Sequence, residues 1–247
     1  MSLTDEVDGN FSRFSAKWRE DLSEAQCQLE PFEEQFKESY RRIASIQSWR
    51  ANILEVHFPG EALGFFEEAQ NDLLSGHILA CSGGWRYALK SLRSFIENSL
   101  SFLYFKDHPV ELERWQTGKF RIGFSDSISY LEAHPRLHGF KGESLGLGSL
   151  KKEYGTLSRA VHASGGDFRM TKQGEVNRVF LGDGIRLNKW ATRESETVNA
   201  VNTLYLFFFR DLLKGASERN HRKAIGLTLP EARARAIKKQ AGVSVLF

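Results

Sequence analysis

The sequence predicts a mainly α-helical single domain, and three observations carry that reading. Apolar residues recur at steps of three and four along most of the chain. Glycine and proline gather at a few sharp breaks, namely Pro31, Phe58-Pro59-Gly60, Ser82-Gly83-Gly84 and Asp107-His108-Pro109. The composition, 41% hydrophobic and 26% charged over 247 residues, suits a chain that builds one sizeable core. It excludes a disordered polyelectrolyte, a collagen-like polymer and a disulfide-built mini-domain.

The elements follow in order. Residues 10–57 carry Leu22, Ala25, Leu29, Phe32, Phe36, Ile43, Ile46, Ile53 and Val56 at helical spacing. Pro31 removes a helical hydrogen bond, so two helices meeting near Glu30 are expected rather than one rod. A third helix is expected over about residues 61–81, with Leu63, Phe66, Ala69 and Leu73 inward. The strongest pattern spans 85–105. Trp85, Leu89, Leu92, Ile96, Leu100 and Leu103 form its core stripe, and Arg86, Lys90, Arg93 and Glu97 share another face. Shorter helices are expected near 110–117 and 125–133, then a Gly-rich loop and a helix over 149–163. A short hairpin about Gln173-Gly174 would pair Phe168-Arg169-Met170 with Arg178-Val179-Phe180-Leu181. Gly182-Asp183-Gly184 reads as a turn. Residues 192–214 read as a helix capped by Thr192, apolar enough to be buried deeply or to meet a second subunit. Thr228-Leu229-Pro230-Glu231 opens a last helix.

Charge divides the chain further. The net +3 conceals ten acids against four Lys/Arg over residues 1–40 and eight Lys/Arg against two acids over 214–247. The organisation is therefore acidic N-terminal helices (1–58), a helical core (60–214) and a basic C-terminal extension (215–247). In that extension Arg219, Arg222, Lys223, Arg233, Arg235, Lys238 and Lys239 would attract a phosphate backbone or an acidic protein surface. Without interleaved aromatics they position a nucleic acid rather than read it. The apolar run Val243-Ser244-Val245-Leu246-Phe247 is expected to dock on the body or a partner.

No membrane is expected, because the longest apolar stretch, 204–209, falls far short of the roughly 20 residues a span requires. The start, MSLTDEVDGN, lacks the apolar run of a signal peptide, and two cysteines, Cys27 and Cys81, fit a reducing cytoplasm. Phosphate-cradling loops, HExxH, EF-hands and nucleophile elbows do not occur, so no cofactor is expected.

Two segments place polar residues where an apolar helix would suffice. Arg93 and Glu97 stand one turn apart, either as a structural ion pair or as part of a site. In Tyr154-Gly155-Thr156-Leu157-Ser158-Arg159-Ala160-Val161-His162, Ser158 and His162 share a helix face, with Arg159 and Tyr154 beside them. With Tyr104-Phe105-Lys106-Asp107-His108-Pro109, this arrangement resembles bacterial HEPN-like helical proteins over about residues 60–215. The resemblance implies a HEPN-like bundle, often dimeric, of the kind found in toxin–antitoxin, abortive-infection and CRISPR-linked defence systems. Many such proteins are metal-independent RNases whose Arg and His line a cleft shared by two protomers. By that resemblance Arg159 and His162 are the catalytic pair, with Arg93, Glu97, Ser158 and Tyr154 supporting. His162 would take the 2′-hydroxyl proton and Arg159 would hold the phosphorane charge. The two are separated by two residues, where the family's motif has four to six. A non-enzymatic helical subunit that joins a larger assembly through its ends is the alternative reading.

Overall fold

The first helix starts earlier than its inward-facing apolar pattern suggests. The computed structural model describes residues 2–164, 168, 171–172, 175–176, 179–213 and 218–245. In it α1 spans Leu3–Leu29, and Ser2 and Asp5 form a capping box: Ser2 Oγ accepts from Asp5 N at 3.1 Å, and Asp5 Oδ2 accepts from Ser2 N at 2.8 Å. The expected start near residue 10 is thereby corrected. A 3-10 turn at Glu30–Phe32 holds Pro31 and leads into α2 (Glu33–Trp49), so two helices do meet at Glu30. α2 passes through a π-helical turn, Arg50–Leu54, into the short α3 (Glu55–His57). The helices α4 (Leu63–Cys81), α5 (Trp85–Phe105), α6 (Pro109–Gln116), α7 (Phe124–Ala133) and α8 (Leu147–His162) then keep close to their expected bounds.

Two expectations change beyond α8. The hairpin about Gln173-Gly174 is shorter and lies between the segments expected to pair. β1 (Thr171–Lys172) runs antiparallel to β2 (Glu175–Val176), with Thr171 opposite Val176. Arg169, Met170 and Arg178 lie outside the described residues. α9 spans Gly184–Phe208 and is capped by Asp183, whose Oδ1 accepts from the amides of Ile185 (2.8 Å) and Arg186 (3.2 Å). Thr192 is therefore interior to the helix, its hydroxyl spent on Asn188 O at 2.8 Å, and Gly182-Asp183-Gly184 is a helix start rather than a free turn.

α9 is the centre of the bundle. From Thr197 to Phe208 every residue is buried, because α2, α5, α8 and α11 (Glu231–Ala241) all pack against it. Its wide apolar face is thus satisfied within one chain. The turn between α4 and α5 is held tightly to the approach to α9. Gly83, at φ +74°, brings its backbone so close to Leu181 that a Cβ would stand 2.5 Å from the Leu181 carbonyl oxygen. α10 (Arg219–Gly226) packs on α2, and Val243 and Val245 are buried in the same core, so the terminal apolar run docks on the body as far as it is described. Among the described residues no helix is long and apolar enough to cross a membrane.

The seam between α2 and α9 is polar and buried. Arg42 Nε donates to Glu194 Oε2 at 2.5 Å, and Ser39 Oγ donates to Glu194 Oε1 at 3.0 Å. About two turns on, Trp49 Nε1 donates to Asn202 Oδ1 (2.9 Å), and Asn202 Nδ2 donates to Ser45 Oγ (2.9 Å). Burial pushes the Glu194 carboxyl up to about 7, against the pull of Arg42 and Ser39. Ser48 Oγ meets His221 Nδ1 at 2.8 Å, and the imidazole lies edge-on to Trp49. Burial drives the His221 imidazole down to about 4.

The two ionic partners differ in what each leaves behind. At pH 6 the Glu194 carboxyl, pushed up to about 7, is mostly protonated, so Glu194→Gln keeps a neutral acceptor beside Arg42 and should cost only about 1 kcal/mol in urea unfolding. Glu194 can take up a proton without Arg42, so Arg42→Met should cost more as the pH rises past 7 than it does at pH 6. A pH-independent difference between the two variants would contradict this. His221 has the opposite sense. Its folded-state value is depressed below 6.5, so its contribution is complete above that pH and is lost toward pH 4, up to about 3 kcal/mol. Hydrogen exchange should show the α10 amides losing protection across that window in wild type.

Candidate functional site

Arg93, Glu97 and Tyr154 close into a triangle where α5 faces α8. Arg93 Nη2 donates to Glu97 Oε1 at 2.9 Å and to the Tyr154 hydroxyl at 2.8 Å, and Tyr154 donates to the same Glu97 oxygen at 2.8 Å. The guanidinium also lies 5.0 Å from the Tyr154 ring centre, and Phe124 stacks on the ring at 3.8 Å between centres. Burial, together with the bond donated to Glu97, holds the Tyr154 phenol above its usual value. Arg93 Nε is buried without a hydrogen-bond partner.

This triangle forms one wall of a cleft of about 500 Å³. Phe65, Trp115 and Phe124 supply aromatic surface over the buried Phe105, while Asn98, Ser101, Ser127 and Arg121 supply polar groups. Arg121 is exposed and makes no hydrogen bond or ion pair among the described residues. Beside the cleft Asn98 donates to Asp72 at 2.8 Å, and burial raises the Asp72 carboxyl to about 6 despite that bond. The cleft therefore offers partly exposed ring surface, above all of Trp115, the unpaired Arg121 and a fixed Arg–Tyr–Glu wall.

α8 reaches this position because Arg86 clasps its end. Arg86 Nε donates to Ala160 O at 3.1 Å and Nη2 donates to Val161 O at 3.2 Å, taking up carbonyls that the end of a helix leaves unpaired. Arg159 and His162 lie apart from the triangle. Both are exposed, and neither lines the cleft. Arg159 is turned about 140° around the helix from Tyr154, and His162 sits roughly 12 Å farther along the axis. Ser158, half-buried, is turned only about 40° from Tyr154 but does not line the cleft.

The family's spacing of Arg, six residues and His does occur in this chain, at Arg50 and His57. There Arg50 is committed to Glu55 (2.7 Å) and Glu67 (2.8 Å), and His57 is exposed beside Phe58.

The basic residues divide in the same way. On α10 Arg222 donates to Ser244 O at 3.3 Å and so tethers the terminal segment, whereas Arg219 and Lys223 are exposed. On α11 Arg233 is half-buried and Arg235 pairs with Glu231; Arg235, Lys238 and Lys239 are exposed on neighbouring positions. Sequence reasoning missed a second polar cluster. Asp107 Oδ2 accepts from Tyr130 at 2.5 Å and from Lys106, and lies 3.4 Å from His134 Nε2. His134 also accepts from Arg136 N at 3.1 Å and so opens the 3-10 turn at Pro135–Leu137. Among the described residues no three His, Cys, Asp or Glu side chains converge as metal ligands would.

Compared with known protein families, curated proteins and solved structures, the chain matches none. Its site is accordingly defined by geometry. Tyr154→Phe keeps the ring against Phe124 and removes only the two hydroxyl contacts. It should cost about 1 kcal/mol in denaturant unfolding, and an unchanged midpoint would show that the triangle contributes nothing to stability.

Proposed function

We propose that the chain is a HEPN-like subunit of a bacterial defence or toxin system that binds single-stranded nucleic acid, RNA above all, in the α5–α8 cleft. The observation that supports this reading is the pairing of exposed ring surface with the unpaired Arg121 in a cleft walled by Arg93 and Tyr154. Unstacked bases lie against aromatic faces and guanidinium planes, and phosphates seek the cation. The exposed face of α11 with Arg235, Lys238 and Lys239 would extend the contact along the backbone and make it salt-dependent. In the catalytic form of this proposal His162 is the base and Arg159 the cation. Their distance from the triangle means that cleavage would occur beside the bound segment rather than within the cleft.

The alternative is a non-enzymatic interaction subunit. It is favoured by the large apolar side chains that α1 leaves exposed and by the displacement of Arg159 and His162 from the cleft.

Labelled single-stranded RNA separates the readings. Arg121→Ala should weaken binding about 5- to 10-fold, and Lys238→Ala with Lys239→Ala should flatten the salt dependence by roughly two charges. Equal affinity for all three proteins removes the cleft and the basic face as contacts. With tRNA and EDTA, cleavage by wild type and none by His162→Ala supports the nuclease form; no cleavage by wild type, or equal cleavage by both, rejects it.

A further inference from the structure

Outside the cleft, the most unusual surface is the first two-thirds of α1. Leu3, Val7, Phe11, Phe14 and Trp18 are all exposed, from 38% for Trp18 to 76% for Leu3. They are not scattered. With Leu22, Ala25 and Leu29 they form one stripe at steps of 4, 4, 3, 4, 4, 3 and 4, close to the eleven-residue repeat of about 3.7 residues per turn, whose stripe winds only slowly and with a right-handed sense around a helix. Ala25 and Leu29 enter the core of the bundle, while the five positions before Leu22 meet solvent. Exposed apolar stripes of this size mark interaction surfaces.

The stripe also reads the same in both directions. From Leu3 to Leu22 the steps are 4, 4, 3, 4 and 4, symmetric about the midpoint between Ser12 and Arg13. We propose that α1 forms an antiparallel two-helix interface with α1 of a second copy of this chain. A twofold axis at that midpoint sets Phe11 against Phe14, Val7 against Trp18 and Leu3 against Leu22, with each contact occurring twice. The flanks match in charge. Glu6 and Lys17 lie on one side of the stripe, Asp8 and Arg19 on the other, so in the pair Glu6 falls beside Lys17 of the second copy and Asp8 beside Arg19.

A parallel arrangement would instead place Glu6 beside Asp8 of the second copy and Lys17 beside Arg19, like charge against like. Lys17 is engaged within its own helix by the exposed Glu20 (2.8 Å), a pair that exchanges readily, and by Asp21 (3.2 Å). Six aromatic rings, at roughly 150–250 Å² each before discounting what their own helix covers, bring the contact to on the order of 1,000 Å², the scale of a specific interface. An anionic lipid surface fits less well, since Asp5, Glu6, Asp8, Glu20, Asp21 and Glu24 outnumber Arg13, Lys17 and Arg19 on this helix. The interface does not depend on what the α5–α8 cleft binds.

Sedimentation equilibrium of the full chain between about 1 and 100 μM tests the proposal. Wild type should dimerise, and Phe11→Asp or Phe14→Asp should weaken the dimer at least about 100-fold. Both substitutions fall on exposed positions, so circular dichroism should show helix content unchanged; if either variant loses helix, Leu3→Ser with Val7→Ser takes its place. The charge pattern tests the direction. Glu6→Lys with Asp8→Lys should weaken self-association, and mixing with Lys17→Glu/Arg19→Glu should restore a dimer between the two variants. A monomeric wild type, a dimer indifferent to Phe11→Asp, or mixed variants that fail to associate would each overturn the proposal. So would a monomer that floats with phosphatidylserine vesicles, which would assign the stripe to lipid.

Discussion

Burying Arg42 against Glu194 fixes α2 on α9, and the rest of the bundle is arranged on those two helices. A guanidinium cannot give up its charge, so a position that hides Arg42 without Glu194 is strongly disfavoured. Asn202 repeats the constraint farther along, bonded to both Trp49 and Ser45. An all-apolar seam would tolerate a slip of one turn. This seam does not, because a slip would strand several buried polar groups at once. α10 then docks on the same helix through His221 and Ser48, so the basic end of the chain inherits its place from α2.

The candidate site depends on a different arginine. By holding the last carbonyls of α8, Arg86 sets how far that helix slides along α5, and this registers Tyr154 between Arg93 and Glu97. Arg159 and His162, which flank the clasped carbonyls, are exposed to solvent. The structure thus separates groups that stand together in the sequence. The Arg–Tyr–Glu wall faces a cleft lined with rings, and the Arg–His pair faces outward.

Much of this architecture was legible in the sequence because its signals are local. The stripe of α5, the break at Ser82-Gly83-Gly84 and the helix start at Pro230-Glu231 are each decided within a few residues, and each is found where expected. The errors arose where a local signal was weak or a distant contact decided the outcome. Val7, Phe11 and Phe14 extend the stripe of α1 outside the core, so a search for inward-facing residues overlooked them. Asp183 outcompeted Thr192 as the cap of α9 because the helix already buries Leu187 and Trp190 ahead of Thr192, and the Asp183 carboxylate takes up its first free amides. In the site, the closeness of Arg93 and Glu97 followed from spacing, whereas Tyr154, Phe124, Trp115 and Arg121 come together only through the packing of α6, α7 and α8. The Asp107–Tyr130–His134 cluster was invisible for the same reason.

The polar seam has a kinetic consequence. Arg42 and Glu194 are 152 residues apart in the chain, and Ser45 and Asn202 are 157 apart. The contacts that fix the register of the bundle therefore form only after most of the polypeptide has been drawn into a loop, whose closure entropy is spent before those contacts repay it. α4 and α5, by contrast, are neighbours joined by a tight turn and form an early hairpin. During synthesis α2 emerges with Arg42, Ser45 and Trp49 unmatched, and it waits for about 150 further residues before α9 arrives to receive them.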